Sequence, residues 1–254
     1  MTRASPRPRL HSSELLRLLS RQGLIDDSAD PGDVGVRLGD WLDFRQAIAL
    51  QSLMGQLEQA SAPVAATARV DAQVLQRRLR EVRQALERSI TEGTPAAPGL
   101  PRIELPEVEL AQPIDAKTAF DPFRRYALGQ QRQMEQVLRS LRSQLRHMLG
   151  QGTSPQRELA ALDAILENVL SPRETRLLGQ IPTEHEKRFA RQLRRHLQQL
   201  VQASEADEPA PRTTPWLAPL REDLRSALLA ELDLRLQPLL GLAEALTTPS
   251  APSP

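Results

Sequence analysis

His185 and Glu186 are adjacent in the stretch Thr183-Glu184-His185-Glu186. A His-Glu pair on a helix is half of a zinc-hydrolase signature. That chemistry needs a second histidine one turn further on, so that two imidazoles reach one ion while the glutamate acts as base. The position one turn on is taken by Phe189. His196 comes eleven residues after His185, about three turns away, too far to share an ion unless the chain folds back. His11 and His147 stand apart from both. No metal site is expected, and His185 reads as part of a helix-capping turn.

Paired carboxylates occur at Glu184/Glu186, Glu222/Asp223 and Glu231/Asp233. General acid–base work needs two acids converging on one cleft, with their pKa values pushed apart. One or two positions apart on a helix, the members of each pair diverge. Arginine follows several of them within a turn, as Arg235 follows Glu231, which predicts surface ion pairs. The twelve glycines are scattered and build no phosphate loop, and no G-x-S-x-G nucleophile turn is present. Cysteine is absent, which excludes a disulfide, a thiol nucleophile and a thiolate metal site. No catalytic residue and no cofactor are expected. An enzyme of unknown type, its site assembled from distant residues, is kept as the third reading of function.

The arginines carry the positive signal. Lys117, Arg124, Arg125, Arg132, Arg139, Arg142 and Arg146 face only Asp121 and Glu135 within residues 117–149. Arg139, Arg142 and Arg146 step by three and four, so they share a helix face. Lys187, Arg188, Arg191, Arg194 and Arg195 form a second stripe within residues 183–203, against two acids. Such faces suit an acidic partner helix, anionic lipid or nucleic acid; the plainer alternative is a solvated face paired with acids elsewhere in the fold. Arg139, Arg142, Arg146, Arg188, Arg191 and Arg195 are the candidate partner-binding residues.

Composition narrows the classes. The chain has 254 residues, enough for one large domain or two small ones. Hydrophobic residues make up 40% but aromatics only 3%, so the core must be built mainly from Leu, Ala, Val and Ile. That mixture favours helices, because Leu and Ala lose little on entering one. Of the 33 basic residues only Lys117 and Lys187 are lysine, a bias that fits a GC-rich bacterial genome. The 32 acids bring net charge to +1, which disfavours a dedicated nucleic-acid binder. No apolar run approaches the ~20 residues of a membrane span. The basic amino terminus is broken by Glu14 and Arg17 and reads as no signal peptide, so a cytoplasmic location is expected.

The elements follow from caps and periodicity. Residues 1–11 read as a disordered arm. Ser13 caps a first helix that ends at Gly23. Leu38, Trp41 and Leu42, then Phe44 to Leu57, predict helix over about 34–59, and Val70 to Ile90 predict another over 67–91. Five prolines mark 93–118 as a linker between an amino-terminal helical region (12–92) and a carboxy-terminal bundle (119–247). Within it RIELPEVEL alternates like a strand, but Pro106 and the lack of a partner favour an extended segment lying against the helices. Asp121-Pro122 predicts a helix start, after which Met134, Leu138, Leu141, Leu145 and Met148 form a seam of about two heptads. Ser154-Pro155, the capping box Ser171-Pro172-Arg173-Glu174 and the box at Thr183 predict three further starts. An internal linker at 204–213 precedes a last helix, Trp216 to Leu236, restarting or kinked at Pro238, and 248–254 reads as a disordered tail. The expected fold is all-α, an irregular bundle of about seven to nine helices with Pro-rich linkers; whether it has one core or two is open.

The order of these segments resembles a proteobacterial family, domain of unknown function 3348. The stretches that carry the resemblance are RLGDWLDFRQAIALQSLM (37–54), DPFRRYALGQQRQME (121–135), LAALDAILENVLSPRETRLLGQIPTEHEKRF (159–189) and LLAELDLRLQPLLGLAEAL (228–246). The resemblance implies no activity, cofactor or catalytic residue. Through the neighbourhood of such genes, near flagellar-stator or TolQ-type membrane subunits and an OmpA-like protein, it implies a cytoplasmic accessory of an envelope assembly. The first expectation for function is therefore a non-enzymatic helical adaptor that binds another protein, with a membrane-complex subunit as one candidate partner. The second is a nucleic-acid binder using the arginine faces.

Overall fold

A computed structural model describes residues 13–25, 48, 67–107, 115–205 and 216–247. The helix expected over 34–59, the amino-terminal arm and the carboxy-terminal tail lie outside these residues. The described residues form six helices and no strand. They are α1 (Glu14–Arg21), α2 (Thr67–Glu92), α3 (Ala116–Gly150), α4 (Ser154–Leu178), α5 (Ile181–Glu205) and α6 (Leu217–Thr247). The described residues are all-α, as the composition of the chain predicts.

Seven to nine helices are more than this; part of that count falls at 34–59, outside the described residues, and prolines account for further starts that the described residues do not show. Pro122 and Pro172 lie inside α3 and α4 instead of opening new helices, and α6 runs through Pro238. α5 starts at Ile181, so Thr183 is within the helix rather than capping it. An internal proline removes one amide donor and frees the carbonyls one turn back. In α4 the carbonyl that Pro172 frees is that of Asn168, and the Arg173 guanidinium donates to the next one along, Val169 O, at 2.9 Å. Side-chain burial on both sides of each proline offsets the rest. Leu236 and Leu239, which flank Pro238, are both buried.

Helix ends elsewhere obey local chemistry. Ser13 Oγ accepts from Leu16 N, and α1 stops at Gly23, whose φ of 66° needs no Cβ to be tolerated. Leu24 N donates to Leu19 O and Gly23 N to Ser20 O, which closes the last turn of α1 and fixes Gln22 beside it. Asp115 caps α3 by accepting from both the backbone and hydroxyl of Thr118.

One apolar cluster spans both sides of the 93–118 segment. It joins Leu79, Leu86 and Ile90 of α2 to the α3 seam, to Phe189 and Leu193 of α5, and to the leucine row of α6. Phe120, Phe123, Phe189 and Trp216 stack with ring centroids 5.3 to 6.2 Å apart, so four of the few aromatics sit in one place. A smaller cluster packs Leu15 and Leu19 of α1, with Leu24 just after it, against Ile181 and Ala227.

Residues 93–107 form no strand and lie against the bundle, with Leu100, Ile103 and Leu105 half-buried on the core. Two buried glutamines of α3 hold this strap. Gln133 Nε2 donates to Pro101 O at 2.7 Å, and Gln130 Nε2 donates to Ile103 O and Ser89 O at 3.2 and 2.9 Å. Ser89 Oγ donates back to Gln130 Oε1. Extended chain cannot satisfy its own carbonyls, so amides supplied from the neighbouring helix make its burial tolerable.

Candidate partner-binding face

The two arginine stripes have different fates. α4 runs back along α3 after a short turn at 151–153, and it brings Asp163 and Glu167 against Arg142 and Arg146. Arg142 donates to both Asp163 oxygens, at 2.9 and 2.6 Å. Arg146 donates to Asp163 at 3.1 Å and pairs with Glu167. Burial alone would lower the Arg142 pKa, but the hydrogen bond and charge of Asp163, with Glu167 behind it, hold it above its ordinary value. Both arginines thus clamp α3 to α4. Arg139 lies apart from them, exposed, with Glu135 as its i−4 partner at 2.5 Å.

Nearer the start of α3, Arg124 pairs with Asp121 and with Glu186 of α5. The Glu231–Arg235 pair forms as its spacing predicts, at 2.8 Å, but inside the protein and not on its surface. Gln131 Nε2 donates to the other Glu231 oxygen at 2.8 Å and to Leu178 O at 3.0 Å, and Glu174 of α4 reaches Arg235 at 3.4 Å. Burial lifts the Glu231 carboxyl above the usual range, against the pull of Arg235 and Gln131.

α5 is amphipathic in a way that exposes the second stripe. Ile181, His185, Phe189, Leu193 and His196 face the core. Arg191, Arg194 and Arg195 are exposed on the other side, and among the described residues none has an ion-pair partner. Arg188, at the edge of that face, pairs with Asp223 of α6 at 2.6 Å. Asp223 also accepts from Gln22 Nε2, through its backbone and carboxylate oxygens, at 3.0 and 3.4 Å. Between α1 and α5 this leaves a cleft of about 260 Å³, lined by Gln22, Arg188, Arg191, Gln192 and Arg195. The sequence singled out three of these residues, Arg188, Arg191 and Arg195. Gln22 and Asp223 were not tied to this face by sequence, because only the fold brings α1 and α6 to α5, and Gln192 carries no charge to mark it. A shallower depression of about 620 Å³ lies on the outer face of α3, with Arg132 and Arg139 among its walls.

His185 is a core residue and not a capping one. It is fully buried, and among the described residues neither ring nitrogen has a hydrogen-bond partner. Burial, with the charge of Arg188 beside it, pushes its pKa down to about 4. The folded state therefore keeps His185 neutral where the unfolded chain would protonate it. Stability from this source is complete above the ordinary histidine pKa of about 6.5 and falls as pH drops from there toward about 4, by about 3 kcal/mol in all. Urea denaturation of His185→Leu should show a smaller acid loss across that interval than the parent chain. An identical loss in both would place the acid sensitivity elsewhere. Among the described residues no three His, Asp or Glu side chains converge as metal ligands, and no helix is long and apolar enough to cross a membrane.

Fold and face together define a class: an all-α protein of long packed helices, with a cationic helix face turned to solvent. The chain belongs to the family described as "Protein of unknown function (DUF3348)", which matches residues 1–248. Neither a curated protein nor a solved structure matches it.

Proposed function

We propose that the protein is a non-enzymatic adaptor that binds an acidic protein partner through the outer face of α5. One observation carries the reading: Arg191, Arg194 and Arg195 share an exposed face and have no ion-pair partner among the described residues, whereas Arg142, Arg146 and Arg188 are all paired. Unpaired arginines gathered on one rigid helix raise the local potential and steer an oppositely charged surface. Gln198 and the exposed Val201 extend the face, adding apolar area beside the charge. The family resemblance, through the neighbours it implies for such genes, favours a cytoplasmic site of action beside a stator- or TolQ-type membrane assembly. A nucleic-acid reading draws less support, because Phe120, Phe123 and Phe189 are buried on one another and offer no stacking platform.

The test is capture of tagged full-length protein at native level from its own host, in mild detergent. One defined partner should be retained by the parent chain and lost by the triple variant Arg191→Glu, Arg194→Glu, Arg195→Glu. Recovery of the protein alone, or a partner indifferent to those changes, would contradict the proposal.

A further inference from the structure

The side of α4 that leaves α3 and α6 is apolar. α4 packs on these two helices. It meets α3 through Asp163 and Glu167, and α6 through Glu174 and Gln156. Leu162, Ile165, Leu166 and Val169 recur at i, i+3, i+4 and i+7, a row about a third of a turn round the helix from those contacts. Val169 is 1% exposed and the other three are half-buried, yet none of the four belongs to either apolar cluster. Apolar burial outside a shared core calls for a further cover.

The course of the chain supplies the candidate. Leu24 packs with Leu178, at the last turn of α4. α2 runs back along α6: Ile90 meets Tyr126, which has Glu222 and Arg225 of α6 beside it, and Arg83 meets Asp233 further on. Thr67, sixteen residues before Arg83, therefore lies about 24 Å further still, toward the end of the bundle where Gln156 of α4 meets Ala245 of α6. The 41 residues from 26 to 66 thus leave one end of α4 and return at the level of the other. Within them Leu50, Leu53, Met54 and Leu57 repeat the i, i+3, i+4, i+7 pattern of α4. Ile48 is helical and 49% exposed, and on a helix it lies almost opposite that row. The other stretches outside the described residues do not fit. Residues 206–215 and 248–254 hold no large apolar side chain, and 1–12 hold only Met1 and Leu10. Residues 108–114 are tethered between the strap and the Asp115 cap, at the opposite end of α3 from Arg142 and Arg146.

Charge sets the direction. Arg173 and Arg176 follow Val169 by one and two turns and continue the same side of α4. Asp43 precedes Leu50 by two turns, so an antiparallel arrangement brings it level with these arginines. We infer that the outer side of α4 is the docking surface for residues 43–57 of the same chain, laid antiparallel with the Leu50–Leu57 row on the Leu162–Val169 row and Asp43 at the arginine end. The inference does not rest on the α5 face, and either can fail alone.

The chain has no cysteine, so an introduced one reports only its own position. In the full-length protein, Asp43→Cys/Arg176→Cys should be joined within one chain by a short bismaleimide. Ile48→Cys/Arg176→Cys, with its first thiol on the outward side, should be joined about tenfold more slowly, because the effective concentration of one thiol at the other is lower. A single Leu166→Cys thiol should be alkylated about tenfold faster once Leu50→Asp/Leu53→Asp/Leu57→Asp removes its cover. Equal alkylation with and without the three aspartates would overturn the inference. Equal joining of the two cysteine pairs would do the same. So would a joined product of twice the mass whose yield rises with protein concentration, which gives the surface to a second copy. The paired-cysteine variants leave both apolar rows intact, so their result stands even where the triple variant fails to fold.

Discussion

Replacing Arg235 by methionine is expected to destabilise the protein by about 3–5 kcal/mol, one of the largest losses available from a single change. The reason lies in Glu231, which is 0% exposed. Its carboxylate is held by Arg235 on one oxygen and by the Gln131 amide on the other. Without the guanidinium, one hydrogen bond remains for a charge with no access to water. A carboxyl in that position takes up a proton instead of remaining charged. The loss should therefore shrink as pH falls. Burial already lifts the Glu231 pKa in the parent chain, so this group favours the folded state toward acid, opposite in sign to His185.

Arg235 is also the link to Glu174, so its removal loosens α6 from α4 as well as from its own preceding turn. The double variant Glu231→Gln/Arg235→Met removes both charges. It should recover part of the loss, and urea denaturation of the two single variants and the double gives the coupling. A loss under about 1 kcal/mol for Arg235→Met, or strict additivity in the cycle, would mean that the buried carboxylate does not depend on its partner.

The second large effect concerns the α3–α4 clamp. Arg142 and Arg146 are four residues apart, and so are Asp163 and Glu167. Two i,i+4 pairs on helices that run back along each other meet as a square of two cations and two anions. The four side chains are 9–19% exposed, so solvent screens them little. Arg142→Gln/Arg146→Gln leaves two carboxylates facing neutral amides. A loss of about 3 kcal/mol is expected, less than for a fully buried group because water can still reach the edges.

The same square shows what was legible in the sequence. Four-residue spacing of Arg142/Arg146 and of Asp163/Glu167, on either side of a short turn, is a signal for internal pairing that inspection of one helix at a time misses. Counting charge within residues 117–149 set those arginines against too few acids, because the acids that matter lie beyond the turn, on α4. Apolar periodicity was a safer guide. Met134, Leu138, Leu141 and Leu145 are buried as their seam predicts, and so is the row from Leu220 to Leu236. Burial of a helix face follows from spacing alone.

Proline was a poor guide to a helix start at Pro122 and Pro172, and at Pro238, where a restart or a kink was expected, the helix does not restart. Pro122, Pro172 and Pro238 have the local look of a helix start, yet tertiary packing carries the helix through each. Ser154-Pro155 does open a helix, since nothing helical precedes it for three residues. The strap at 93–107 was legible as extended chain from its prolines. Its attachment through Gln130 and Gln133 was not, because a glutamine on a helix reads as solvated until something is packed over it. In the candidate site the arginines of α5 were visible from their spacing, whereas Gln22 and Asp223 enter only through the packing of α1 and α6.

The central claim is a division of labour: the arginines of α3 that face α4 hold the fold, and Arg191, Arg194 and Arg195 of α5, which have no ion-pair partner among the described residues, are proposed to meet a partner. The most direct measurement compares two double variants of the full chain by urea denaturation. Arg142→Gln/Arg146→Gln should lose about 3 kcal/mol, and Arg191→Gln/Arg195→Gln should stay within about 0.5 kcal/mol of the parent. Equal losses, or a larger loss for the α5 pair, would contradict the division.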